Sequence, residues 1–169
     1  MKMLLASILL CAPLLPAAEP IPNRLIDYAQ FQKIARETGP IREKRRVSEE
    51  QFAALAAEPG TVVLDARSAD KFARRHIRGA VSLPFTDFTA EALAAVLPAK
   101  DTRVLIYCNN NFLGAPRSLA SKSAPASLNI STYIALATYG YTNIYELGPL
   151  LDVTTTKLPF AGTEIRGPE

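Results

Sequence analysis

The sequence predicts an α/β domain: a central, mainly parallel sheet with helices on both faces. Three observations lead there. The apolar runs at 61–64, 103–107 and 143–147 lack in–out alternation, the pattern of strands covered on both sides. The stretches between them open with helix-start signals at Ser48, Ser68 and Thr89. Proline or glycine stands at the junctions, as in Pro59-Gly60, Pro84, Pro98, Gly140 and Gly148-Pro149. A chain of 169 residues, 49% hydrophobic and 21% charged, can bury the core of one such domain.

Residues 1–18 have a positive end at Lys2, an apolar centre and a small-residue finish at Ala17-Ala18, the architecture of a secretory signal peptide. The run is too short and too broken by Pro13 and Pro16 for a comfortable membrane span of about 20 residues. An uncleaved anchor and a lipidated Cys11 are the alternatives. Against the second, Leu10 stands where a lipoprotein signal wants a small residue. Cleavage makes the protein periplasmic or secreted, with no membrane attachment, and leaves Cys108 as the sole thiol. It can then form no internal disulfide, and an unpaired cysteine in an oxidising compartment points to intermolecular pairing or a reactive sulfur. The mature charge, 18 basic against 16 acidic residues, is too small an excess for a nucleic-acid binder.

Residues 19–46 form a pre-domain segment. Leu25, Tyr28, Phe31, Ile34 and Ala35 recur at helical spacing, and Gly39-Pro40 is expected to stop that helix. The run Arg42-Glu43-Lys44-Arg45-Arg46 reads as a solvated linker, with docking onto an acidic surface as the alternative.

The domain proper spans 47–150. Ser48-Glu49-Glu50-Gln51 is a capping box, followed by Phe52 and Leu55 as the helix's apolar side. A strand at 61–64 ends at Asp65. Ser68 caps a helix through Phe72, a short strand at 80–83 is stopped by Pro84, and Thr89 caps an alanine-rich helix ending at Pro98. After the strand at 103–107 comes a helix over 128–139 with Gly140 as its left-handed terminator. The strand at 143–147 is the last, and 151–169 is a C-terminal tail.

The strand at 103–107 runs straight into Cys108-Asn109-Asn110-Asn111. A sulfur on a loop at a strand's carboxyl end sits where open α/β sheets bind ligands.

Val62-Val63-Leu64-Asp65-Ala66-Arg67-Ser68, Phe72, His76-Ile77-Arg78-Gly79-Ala80 and Leu83-Pro84 together resemble the front half of a rhodanese-like domain. Leu105-Ile106-Tyr107-Cys108, Gly140-Tyr141 and Ile144-Tyr145-Glu146-Leu147-Gly148 continue the likeness in the right order. It implies a three-layer α/β/α fold and a sulfurtransferase. Cys108 would take a sulfane sulfur from a small donor anion or a persulfide, hold it as its own persulfide, and pass it to a thiol or cyanide. No cofactor is implied. The resemblance makes residues 109–114 (Asn109, Asn110, Asn111, Phe112, Leu113, Gly114) the substrate-binding loop, and Asp65, Arg67, His76 and Gly79 a structural motif.

The departures weaken the active reading. Family loops carry a basic residue after the cysteine, and often a second near the loop's end; 108–114 has no charge. Asn111 stands where the family has glycine, and asparagine is the residue best able to replace it at positive φ. Its amide, and those of Asn109 and Asn110, can donate to an anion without adding charge. Arg117 and Lys122 are the candidates to restore charge by folding back. The stretch at 114–127, with Pro116 and Pro125, reads as an insertion that covers the site or acts as a lid.

Plainer readings stand beside these. Cysteines are often small buried hydrophobes, the asparagines suit an ordinary turn, and Phe112 and Leu113 are either a substrate lip or core. His76 reads as a backbone anchor rather than a base, Asp65 and Arg67 as partners holding loops, and Arg75 and Arg78 as solvated. One histidine and one cysteine make no metal site. A phosphatase of this fold would need an arginine clamp close behind the cysteine; Gly114 occupies that place and Arg117 lies too far along. The rival to the sulfurtransferase is a catalytically weak or inactive binding or regulatory module.

Overall fold

The structure is a computed structural model describing residues 21–165; the predicted signal peptide and Cys11 lie outside the described residues. The elements run α1 (Tyr28–Lys44), β1 (Arg46–Val47), α2 (Glu49–Ala56), β2 (Thr61–Asp65), α3 (Ala69–Arg74), β3 (His76–Ile77), β4 (Val81–Ser82), α4 (Ala90–Val96), β5 (Arg103–Tyr107), β6 (Phe112–Leu113), α5 (Leu128–Thr138), β7 (Ile144–Leu147), β8 (Leu151–Asp152) and β9 (Phe160–Ala161).

Five strands form the central sheet in the order β1-β7-β5-β2-β4, every pair parallel. The pleat divides each strand between two cores. Val63, Leu105, Tyr107 and Leu147 pack with Phe52 of α2 on one face. Leu64, Val104, Ile106 and Ile144 pack with Leu93 of α4 and Tyr133 and Leu136 of α5 on the other. Apolar residues fill both faces of one strand, which is why the sequence shows no alternation. The expected α/β class with a mainly parallel sheet is the observed one.

The helix starts follow their side chains. Ser48 Oγ accepts from Gln51 N at 3.2 Å, and Gln51 Oε1 accepts from Ser48 N at 2.9 Å. Thr89 Oγ1 accepts from Ala92 N at 3.1 Å. Ser68 precedes α3 but makes no such bond. Gly140, at φ 84°, closes α5: its N–H reaches Ala137 O and the next reaches Leu136 O.

Two expectations for the pre-domain segment fail. Helix α1 runs straight through Gly39-Pro40 to Lys44. An interior proline costs a helix about 3 kcal/mol or more, but the turn beyond Pro40 carries long-range partners. These also overturn the solvated linker. Arg42 donates to Glu146 Oε1 at 2.7 Å, Arg45 to Thr142 O at 2.6 Å and Arg46 to Gly148 O at 3.1 Å. The basic run is thus fastened along β7, with Arg45 also 5.1 Å above the Tyr145 ring.

The segment after 150 is built into the domain. β8 pairs with β6, and β9 pairs antiparallel with β3. Leu158 and Phe160 are buried in the α2-side core.

Candidate functional site

β2 and β5 are neighbours in register, which puts Asp65 beside Tyr107 at their carboxyl ends. Asp65 is fully buried and saturated with donors. It accepts from Arg67 Nε at 2.9 Å, Arg67 Nη2 at 2.5 Å, Arg67 N at 3.0 Å and Tyr107 OH at 2.5 Å. Arg67 also donates to Ser118 O (3.0 Å) and Arg75 O (2.7 Å), tying two loops to the strand end. Burial opposes its charge, and the hydrogen bonds and attraction of Asp65 outweigh that, so its pKa lies above the usual arginine value. Burial first, then the Asp65 carboxylate, pushes the Tyr107 phenol well above the ordinary tyrosine range. Below about pH 10 this group does not distinguish folded from unfolded chain. Above it the unfolded chain loses a proton that the fold retains, so stability falls as pH rises. An alkaline absorbance titration is therefore expected to show the Tyr107 phenolate only as the fold is lost; ionisation of all six tyrosines before unfolding would contradict this.

Cys108 follows β5 and precedes a 3₁₀ turn of Asn109–Asn111. Its side chain is fully buried, and its sulfur lies 3.5 Å from the Ser127 hydroxyl. The asparagines do not form an open cradle. Asn111 is not left-handed; among the described residues only glycines have positive φ. Its side chain works as a brace instead: Oδ1 accepts from Cys108 N at 2.9 Å, and Nδ2 donates to Leu147 O at 2.7 Å. Asn109 Nδ2 donates to Ala120 O, and Asn110 exchanges two bonds with the Lys122 backbone at 2.8 and 3.0 Å. All three amides donate to protein carbonyls; Asn111 uses both of its N–H groups, on Leu147 O and Pro149 O, while Asn109 and Asn110 use one each.

The rest of the predicted loop divides between core and surface. Phe112 is buried, edge-on to Tyr107 and Phe160, and is core rather than a substrate lip. Leu113 is exposed, and Gly114, at φ 87°, turns the chain against Asp152 and Val153.

Residues 114–127 pack against the cysteine turn. Leu119 anchors them in the core, the asparagine bonds hold their middle, and Ser127 closes on Cys108. Arg117 does not fold back: it is 79% exposed and its Nε lies 3.8 Å from Glu164 in the last described segment. Two clefts flank the covered thiol. One, of about 700 Å³, is bounded by Arg67, Lys71, Phe85, Asn109, Lys122 and Leu128. The other, of about 240 Å³, is bounded by Arg42, Asn110, Asn111, Ser127, Asn129 and Glu146. Cys108 lines neither; its neighbour Asn109 borders the first, and Ser127, whose hydroxyl meets the sulfur, borders the second. Lys122 reaches the first cleft and is the one proposed cation near the site. Among the described residues no group of three or more His, Cys, Asp or Glu could hold a metal ion, and no helix is long and apolar enough to cross a membrane.

The family model of the rhodanese-like domain matches residues 48–148. The chain belongs to the rhodanese-like domain family. It is 25% identical over 95 residues to the thiosulfate sulfurtransferase PspE of Escherichia coli, covering 56% of this chain and 76% of that protein. Its fold is similar to the crystal structure of the BH2092 protein from Bacillus halodurans, with a TM-score of 0.53 and 18% identity over 79% of this chain and 88% of that one.

Within this rhodanese-like domain His76 is a backbone anchor. Nδ1 donates to Phe72 O at 2.8 Å, and the ring stacks on Phe72 with centroids 3.8 Å apart. Gly79, at φ 84°, makes the turn that follows. Arg75 is not simply solvated; its guanidinium lies 5.4 Å from the Phe160 ring centroid. Four residues of the site escaped sequence reasoning: Arg42, Ser127, Asn129 and Glu146. Glu146 carried a signal. A carboxylate inside an otherwise apolar strand needs a buried partner, and the basic run upstream supplies it.

Proposed function

We propose that this rhodanese-like domain is a sulfurtransferase whose carrier is a persulfide on Cys108. One observation carries the reading: the sulfur stands at the carboxyl end of the central strand β5, between two clefts, with a hydroxyl 3.5 Å away. The Cys108 thiolate attacks the outer sulfur of a donor such as thiosulfate. The S–S bond of the donor breaks, sulfite leaves with the bonding pair, and Cys108 keeps the sulfur as a persulfide anion. An acceptor thiolate or cyanide then attacks that outer sulfur and the Cys108 thiolate is restored. Ser127 Oγ–H, 3.5 Å from Sγ, is placed to donate to the Cys108 thiolate. The thiol is buried, so each half-reaction requires the chain around Ser127 to move; a gated site of this kind turns over slowly.

Mass spectrometry after thiosulfate treatment is expected to show a gain of one sulfur atom on the peptide holding Cys108, and none in Cys108→Ala. Equal transfer rates for the wild type and Cys108→Ala would overturn the reading. The second reading, a binding or regulatory module, is favoured by the fully buried thiol and by asparagine side chains that bind protein carbonyls. Failure of Cys108 to take up sulfur from thiosulfate or from a small persulfide would decide for it.

A further inference from the structure

The helix before the family-matched region reaches the cysteine through an unbroken chain of polar contacts. Arg42, in the last turn of α1, meets Glu146 of β7: Nη2 donates to Oε1 at 2.7 Å, and Nε lies 2.6 Å from Oε2. The second approach is off the hydrogen-bond line, so it acts through charge. The Glu146 side chain is only 5% exposed and that of Arg42 20%. Asn129 of α5 comes next, its Nδ2 lying 3.3 Å from Glu146 Oε1 and 3.0 Å from Asn111 Oδ1. Asn111 Oδ1 also accepts the Cys108 backbone N–H at 2.9 Å. The three links from Arg42 to Asn111 are long-range in sequence, the last one to Cys108 is local, and every member beyond Arg42 is buried.

We infer that Arg42 is a positioning residue for Cys108, acting through Glu146, Asn129 and Asn111 to hold the cysteine loop in its closed form. The inference rests on Cys108 being the site proposed above. The physical reason is the cost of a buried charge. With Arg42 in place, Glu146 is neutralised and Asn129 shares its amide with Asn111. Without Arg42, the buried carboxylate draws the Asn129 amide to itself. Asn111 Oδ1 then loses one of its two donors, and the brace on the Cys108 backbone slackens. The loop N–H becomes free to turn toward the sulfur, and Ser127, which borders the same small cleft as Arg42, is freed to move. An arm outside the family-matched residues thereby sets how open the thiol is.

The test reads the thiol and needs no sulfur transfer. The rate of Cys108 alkylation by iodoacetamide is measured by mass spectrometry for each protein at a fixed interval below its own thermal midpoint. Arg42→Ala is expected to raise the rate about tenfold, the scale of coupling within one polar network. Asn129→Ala, which cuts the relay one step nearer, is expected to do the same. Arg42→Lys, which keeps a positive charge against Glu146, is expected to stay nearer the wild type than Arg42→Ala. Gly60→Ala, a strained turn remote from the relay with open space around it, serves as a destabilised control and is expected to match the wild type. The inference is overturned if Arg42→Ala and Asn129→Ala react at the wild-type rate, if Arg42→Lys reacts as fast as Arg42→Ala, or if Gly60→Ala rises as much as they do. A protein that never takes up sulfur but passes this test loses the transferase reading and keeps the relay.

Discussion

Asp65→Ala is expected to lower the unfolding free energy by about 3–5 kcal/mol, the cost of orphaning one partner of a buried ion pair. The stability of a typical domain is only about 5–15 kcal/mol, so the urea midpoint should fall steeply. Asp65 is the common acceptor of the Arg67 guanidinium, the Arg67 backbone N–H and the Tyr107 hydroxyl. Removing it leaves a buried cation with only the carbonyls of Ser118 and Arg75. The Tyr107 hydroxyl is also left without its acceptor, though it still accepts from Ile77 N at 3.1 Å. The penalty therefore belongs mainly to the stranded charge and not to the net worth of the pair. That separates it from simple loss of a contact. The double variant Asp65→Ala/Arg67→Leu removes the stranded charge and is expected to be more stable than Asp65→Ala alone. A double variant less stable than the single one would place the cost in the loops that Arg67 ties down.

The parts of this fold legible in the sequence are those whose cause is local. The capping box at Ser48 needs only the next three residues, and Gly140 needs only the end of its own helix. The strand ending at Cys108 is visible because both of its faces are apolar over consecutive positions. The likeness around Asp65, His76 and Gly79 located the motif, and its geometry is what a buried aspartate and a positive-φ turn require. The parts not legible have distant causes. Asn111 offers two side-chain roles, a left-handed turn or an amide brace, and the choice was made by Leu147 O, 36 residues on. Pro40 stops a helix by local rules, but Arg42 behind it has a partner 104 residues away. Arg117 was the natural cation to look for near an uncharged loop, and it stands exposed on the side of Glu164 instead. The strands after residue 150 are two residues each, too short to carry any periodicity.

Those short strands set the last expectation. Gly162→Ala should cost roughly 2–5 kcal/mol, combining backbone strain with overpacking, whereas Gly60→Ala should cost about 1 kcal/mol from strain alone. Both glycines have positive φ, 121° and 77°. The difference is space. A Cβ on Gly60 would meet nothing within 4 Å, while one on Gly162 would sit 2.5 Å from Arg74 O and 2.9 Å from Ala73 O. These are backbone atoms at the end of α3 and cannot swing aside. Chain departure at Gly162 is also what delivers Thr163 N to Ala73 O and Glu164 N to Arg74 O, each at 2.9 Å. Losing that seam releases Glu164 from Arg74 and Arg117, and loosens Phe160 from the edge of Phe112. Phe112 directly follows the asparagine turn, so the damage reaches the floor of the cysteine loop. Chemical denaturation of the two variants side by side checks the expectation, and equal losses would show that the segment after residue 158 is not held against α3 as described. The same packing implies that residues 48–148 alone, the stretch that defines the family, expose the apolar surface that Leu158 and Phe160 cover and fold less stably than the full chain.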